Sequence, residues 1–123
     1  GGHVVIDLFD PRLEYCLPKP EPSELSSEVF DAASGLLFRR TTTARVNDPV
    51  SQTFSEKLLF EAIDQTGGVV LREETSWSLR WTFRQEMAYL LELCGFDVIE
   101  QYSDFNGSPP AYGQEQLWVA RAI

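Results

Sequence analysis

Chemistry near neutral pH needs a group that titrates there or an activated nucleophile, and this chain is sparing with both. His3 is its single histidine, so it offers little for a Ser-His-Asp or Cys-His arrangement. Cys16 and Cys94 lie far apart, with no CxxC and no Cys/His cluster. A structural zinc site is therefore not expected. Glu73 and Glu74 are adjacent in a strand-like run. Neighbouring strand residues point to opposite faces, so this pair is not an acid/base dyad. Gly67-Gly68 lies between two strand-like runs and opens no helix, which makes it a hairpin turn rather than a nucleotide loop.

The elements decide where the remaining polar and aromatic residues fall. HVVIDLF, residues 3–9, is a Val/Ile-rich run without strict alternation. It reads as a buried strand central to a sheet covered on both faces, closed by Asp10-Pro11. A central strand as the opening element suggests that these residues begin in the middle of a larger fold. Residues 17–28, rich in proline, serine and charge, read as a loop or linker with one helical turn at its end. Glu28–Phe30, Leu36–Val46, Gln52–Ile63 and the run from Val69 read as strands joined by turns at 31–35, 47–49 and 64–68; the periodicity of Gln52–Ile63 is mixed and also admits a helix, but the flanking turns favour a strand. They form an antiparallel meander. In its last strand Val70, Arg72, Glu74, Ser76 and Ser78 share one face, and Leu71, Glu73, Thr75, Trp77 and Leu79 the other. One face is wet and the other partly apolar.

The period then changes from two to 3.6. Thr82 is expected to cap a helix, with Gln85 at the capping-box spacing. Phe83, Met87, Leu90, Leu91 and Cys94 make its apolar stripe, which places Cys94 in the core. Gly95 stops it. Phe96–Tyr102 is a strand, Ser103–Pro110 a loop, and Gln116–Ala122 a final strand. The fold class expected is α+β: mainly antiparallel sheet with one main helix, in a single domain over 1–123. Residues 29–82 form the meander and 83–123 the helix-strand-loop-strand ending.

Nineteen acidic residues against 10 basic ones give a net charge of −9. Such a surface repels phosphate backbones and anionic membranes, so nucleic-acid and membrane binding are not expected. No apolar run approaches the ~20 residues that span a bilayer. Two unpaired thiols and no signal peptide fit a reducing cytoplasm.

The order of these pieces resembles the C-terminal part of class I S-adenosylmethionine (SAM)-dependent methyltransferases. GGHVVIDLFDP is similar to their fifth strand after its Gly-Gly turn. Residues 31–64 are similar to an antiparallel insert found in some small-molecule methyltransferases. Arg80, Trp81, Thr82, Phe83, Glu86, Met87, Leu90, Leu91, Cys94, Gly95 and Phe96 match the family's last strand-to-helix segment. The loop from Tyr102 to Ser108 resembles its closing loop, with Ser103 where glycine is usual, and QLWVARA resembles its closing strand. The expected fold is thus the C-terminal portion of a Rossmann-like methyltransferase.

The resemblance implies SAM as cofactor of the full-length enzyme and a small-molecule substrate. It also implies that the cofactor grip lies elsewhere: the Gly-rich turn and acidic ribose-binding residue are not found in this sequence, so this chain alone is not expected to bind SAM or to be active. The meander would wall an acceptor pocket, with Tyr15, Arg80, Trp81, Asp104 and Phe105 as substrate-binding candidates, and Asp10, Arg12 and Tyr112 nearby. No catalytic residue is assigned. Each candidate also has a structural role open to it: Arg80 pairing with Glu86, Trp77 and Trp81 sharing a core-facing side, Asp104 bracing its own loop, Tyr15 packing under the Pro-rich segment. Bare strand edges at 3–9 or in the meander are expected to make the chain a homodimer. The alternative reading is a stand-alone α+β small-ligand-binding or dimeric interaction domain, with Trp77, Trp81 and Phe105 lining an apolar pocket.

Overall fold

The computed structural model describes residues 1–18 and 26–123. The fold is α+β, with two antiparallel sheets and one α-helix. The chain divides into two compact units: Gly1–Cys16 with Trp81–Ile123, and Leu17–Arg80.

The first unit is a three-stranded sheet in which β1 (His3–Phe9) and β6 (Phe96–Tyr102) flank the last strand, β7 (Glu115–Ala122). Both pair antiparallel to β7, so β1 and β6 run in the same direction. Being paired on both sides, β7 carries the core: Trp118 and Ala120 join Met87 and Leu91 of α1 (Arg84–Leu93), with Val4, Ile6, Leu8, Ala88 and Phe96 around them. Among the described residues β1 pairs only with β7. Its burial alternates along the strand and Val5 is 68% exposed, which corrects the expectation of a strand covered on both faces. The physical reason is that only the face carrying Val4, Ile6 and Leu8 packs on the core cluster with Met87 and Leu91 of α1.

Helix α1 begins one residue later than the capping pattern suggested. Phe83 is the N-cap, and its N–H donates to Glu86 Oε1 at 3.2 Å; Thr82 stays outside, its carbonyl accepting from Gln116 Nε2 at 3.0 Å. The buried stripe is Met87 and Leu91, while Leu90 is 48% exposed. Cys94 is exposed rather than core, because it is the C-cap residue beyond the last turn. Gly95 follows at φ +81°, the left-handed geometry in which a side chain would be strained.

The second unit is the meander: β2 (Ser26–Asp31), β3 (Leu36–Asp48), β4 (Thr53–Ile63) and β5 (Val69–Arg80), paired in chain order. Most of the Pro-rich stretch, residues 19–25, lies outside the described residues. Ser26 and Ser27 belong to β2 instead of the expected loop, because they pair with Thr41 and Arg40 of β3. One face carries the aligned row Glu28, Arg39, Glu61 and Arg72, with Arg39 2.8 Å from Glu28 and 3.9 Å from Glu61. The other carries Val29, Phe38, Ala62 and Leu71 in line. The division into a wet and an apolar face therefore runs through all four strands. Trp77 is on the apolar face but 42% exposed, its Nε1 donating to Glu56 Oε2 at 2.9 Å. Trp81 lies past the end of β5 at Arg80, so the strand's alternation does not set its side.

An aspartate holds each turn of the meander and the loop after β6. Asp31 accepts from the N–H groups of Ala33 and Ser34, Asp48 from Val50, Asp64 from Thr66 and Gly68, and Asp104 from Asn106 and Ser108. All four carboxyls are held below the usual aspartate range, first by a side-chain hydroxyl (Ser34, Ser51, Thr66 and Ser108 respectively) and then by backbone N–H donors. A folded pKa below the unfolded one stabilises the fold at any pH above the unfolded value, and that contribution fades as pH falls through the folded value. Carboxyl carbon NMR titration is expected to give four midpoints below that of a model aspartate. A midpoint at or above it would remove that turn from the account.

Candidate functional site

Because β1 and β6 are parallel, their carboxyl ends lie at the same end of the sheet, beside the amino end of β7. Three pieces of chain converge there: Asp10 and the short 3-10 helix Leu13–Cys16 after β1, the start of α1, and residues 103–114 between β6 and β7. Carboxyl ends of parallel strands are where open α/β sheets bind ligands, since the loops there diverge and leave space.

Asp10 is the centre of this edge. Its Oδ2 accepts from the Gly113 N–H at 2.8 Å and its Oδ1 from Gln116 Nε2, also at 2.8 Å. Gln116 is fully buried, and its Oε1 accepts from Trp118 Nε1 at 3.1 Å. The chain of donors Trp118 to Gln116 to Asp10 ties the carboxylate to the core below it. Gly113, at φ +72°, sits so close to Arg12 that an added Cβ would lie 2.8 Å from its Nε. Arg12 Nε in turn donates to the Gly113 carbonyl at 3.4 Å. The Tyr112 hydroxyl accepts from the Leu13 N–H at 2.8 Å and donates to Glu14 Oε2 at 2.9 Å. The Leu13 contact lowers the Tyr112 pKa, but burial and the Glu14 carboxylate together push it above its ordinary value.

A cavity of about 430 Å3 opens at this edge, lined by Asp10, Pro11, Leu13, Phe83, Arg84, Pro110, Ala111 and Tyr112. Most of its wall is apolar, with Asp10 and Arg84 as its charged groups, which is the usual make-up of a small-molecule site. Arg84 Nη2 is 3.8 Å from Asp10 Oδ1 and 3.4 Å from the Ala111 carbonyl.

Of the residues singled out from sequence, Asp10 and Tyr112 line this cavity and Arg12 braces its loop. Tyr15 lies on the 3-10 helix, 37% exposed, outside the lining. Asp104 binds its own loop through Asn106 and Ser108, and Phe105 beside it is 79% exposed. Trp81 is buried at 2% exposure and does not line the cavity. Arg80 ends β5 in the other unit. Leu13, Phe83, Arg84, Pro110 and Gln116 were not among the site candidates taken from the sequence. Only Gln116 carried a local signal there, as a polar residue leading an apolar strand.

No family model matches this sequence, and neither does any curated protein. The fold nevertheless has counterparts among solved structures. The CcbJ methyltransferase from Streptomyces caelestis matches with a TM-score of 0.62 at 17% identity, over 99% of this chain and 47% of that one. A SAM-dependent methyltransferase from Clostridium acetobutylicum ATCC 824 matches with a TM-score of 0.63 at 11% identity, over 98% of this chain and 44% of that one. The fold is therefore methyltransferase-like, and the chain spans less than half the length of these neighbours.

Proposed function

We propose that this chain is the C-terminal, substrate-side portion of a SAM-dependent methyltransferase acting on a small molecule. What carries the reading is the extent of the likeness: nearly the whole chain aligns with under half of each neighbour. A SAM-binding half, with its Gly-rich turn and ribose-binding carboxylate, belongs to the remaining part in this reading. Methyl transfer from a sulfonium gains much of its rate from holding the acceptor in line with the methyl group. A largely apolar cavity that opens at the carboxyl edge of the sheet offers a place to hold such an acceptor. This chain by itself is expected to bind no SAM and to be inactive.

The test is calorimetric titration of SAM and S-adenosylhomocysteine into this chain and into the product of the longer reading frame. Stoichiometric heat from the longer product alone, with methyl transfer to a small acceptor, supports the reading. Stoichiometric binding by the 123-residue chain, or a gene that encodes no SAM-binding half, overturns it.

The open edges support a second proposal, that the chain self-associates. Among the described residues β1 and β5 each have one neighbour, and every residue of β5 is exposed, including Val69, Val70 and Leu71. Unpaired N–H and C=O rows with apolar side chains recruit another strand. The same edges favour the alternative of a dimeric α+β interaction domain over an isolated monomer. Sedimentation velocity is expected to show a dimer; a clean monomer at about 100 μM would remove the proposal.

A further inference from the structure

We propose that Arg84 receives the carboxylate of a small, largely apolar acid in the cavity beside it. For its biological meaning this rests on reading that cavity as the acceptor side of a methyltransferase; as a binding site it stands on the geometry alone.

The observation is an arginine with donors to spare. Its protein contacts are both made by Nη2, to the Ala111 carbonyl at 3.4 Å and to Asp10 at 3.8 Å, each long for a charge-assisted bond. Its Nη1 is buried with no hydrogen-bond partner. A buried donor without an acceptor is costly, and folded proteins rarely leave one so. Asp10 does not meet that need, because its approach to the guanidinium is 3.8 Å and made by Nη2, while its short bonds, at 2.8 Å, go to Gln116 and Gly113. The guanidinium is held only by these long contacts, so it can pivot toward the cavity that it lines.

The chemistry of the donor selects the ligand. A guanidinium stays charged and presents a planar fork that matches two carboxylate oxygens. Phe83, Leu13, Pro110 and the Tyr112 ring supply an apolar wall for the body of the molecule. The net charge of −9 and the nearby Asp10 weaken the pull on an anion, so selection here comes from paired hydrogen bonds rather than long-range attraction. The site is matched to a carboxylate on a ring-sized apolar body.

Benzoate and its uncharged isostere benzamide are the probes, titrated separately into the 15N-labelled 123-residue chain without SAM. The readouts are the Arg84 Nε–Hε signal and the Gly113 and Tyr112 amides. Benzoate is expected to bind about tenfold tighter than benzamide, in the millimolar range, and to move all three signals. Arg84→Gln should bring the two probes to within about twofold, and Arg84→Lys should retain part of the preference, since it keeps the charge but loses the fork. Circular dichroism checks that both variants fold, and the lysine variant remains informative if the glutamine one does not. Equal binding of the two probes, a preference that survives Arg84→Gln, or no movement of these signals up to about 50 mM would each overturn the proposal. Benzoate selectivity without methyl transfer by the longer product would remove the methyltransferase reading and leave this site standing; methyl transfer without benzoate selectivity would do the reverse.

Discussion

Replacing Trp118 with alanine is expected to cost about 3–5 kcal/mol of folding stability, the range for emptying a buried aromatic site. Trp118 is 1% exposed and sits where β7 faces α1, against Met87 and Leu91 with Val4, Ile6 and Leu8 alongside. A three-stranded sheet with one helix has few such residues to spare. Domains of this size are stable by only about 5–15 kcal/mol, so the loss takes a large share of the total. Trp118→Phe keeps most of the ring but removes the N–H that Gln116 Oε1 accepts at 3.1 Å. That smaller change is expected to cost about 1–3 kcal/mol, the price of one buried acceptor left without its donor. Urea unfolding followed by far-UV circular dichroism measures both. A loss under about 1 kcal/mol for the alanine variant would mean that this cluster is not the core of the unit.

The second large effect belongs to Gln116. Its side chain makes three contacts from a fully buried position: Nε2 to Asp10 Oδ1 at 2.8 Å, Nε2 to the Thr82 carbonyl at 3.0 Å, and Oε1 from Trp118 Nε1. Gln116→Leu keeps the volume and strands all three partners. The expected cost is about 2–4 kcal/mol, since a half-satisfied buried network is worse than none. Gln116→Glu gives a sharper test because its effect depends on pH. At neutral pH it sets a second carboxylate against Asp10 and loses the donor. Protonation restores a donor, so the new carboxyl has a raised folded pKa. Its deficit is expected to shrink on acidification and to grow as pH rises through that pKa. This is the opposite direction to the four turn aspartates. A deficit independent of pH would show that the side chain at 116 does not touch Asp10 in solution. Either substitution also frees the carboxylate that holds Gly113, so the cavity wall from Pro110 to Tyr112 should loosen; amide exchange at Gly113 would report it.

What was readable from sequence is what neighbours in sequence decide. The meander was legible because alternation of period two is a local property, and because Asp31, Asp48 and Asp64 close their turns with hydroxyls two or three residues on. The helix was legible from Met87 and Leu91 and from Gly95 after it. Its ends were less so: Cys94 fits the repeat arithmetically, but the last turn carries it past the sheet. Trp81 had both a ligand-facing and a core role open to it from sequence, and it is buried at 2% exposure just past the end of β5.

The site is another matter. Asp10 reaches Gly113 and Gln116 across separations of 103 and 106 residues, and Arg84 reaches Ala111 across 27. Those meetings exist because the last strand inserts between β1 and β6, and no local pattern states which strand a sheet will admit at its centre. The sequence by itself determined the elements, the turns and the wet and apolar faces, since each follows from side chains a few residues apart. Only the tertiary structure decided that β1 has a single neighbour among the described residues, that Gln116 is buried beneath Asp10, and that Arg84 keeps a donor without an acceptor, since each depends on strand order and on contacts between segments distant along the chain.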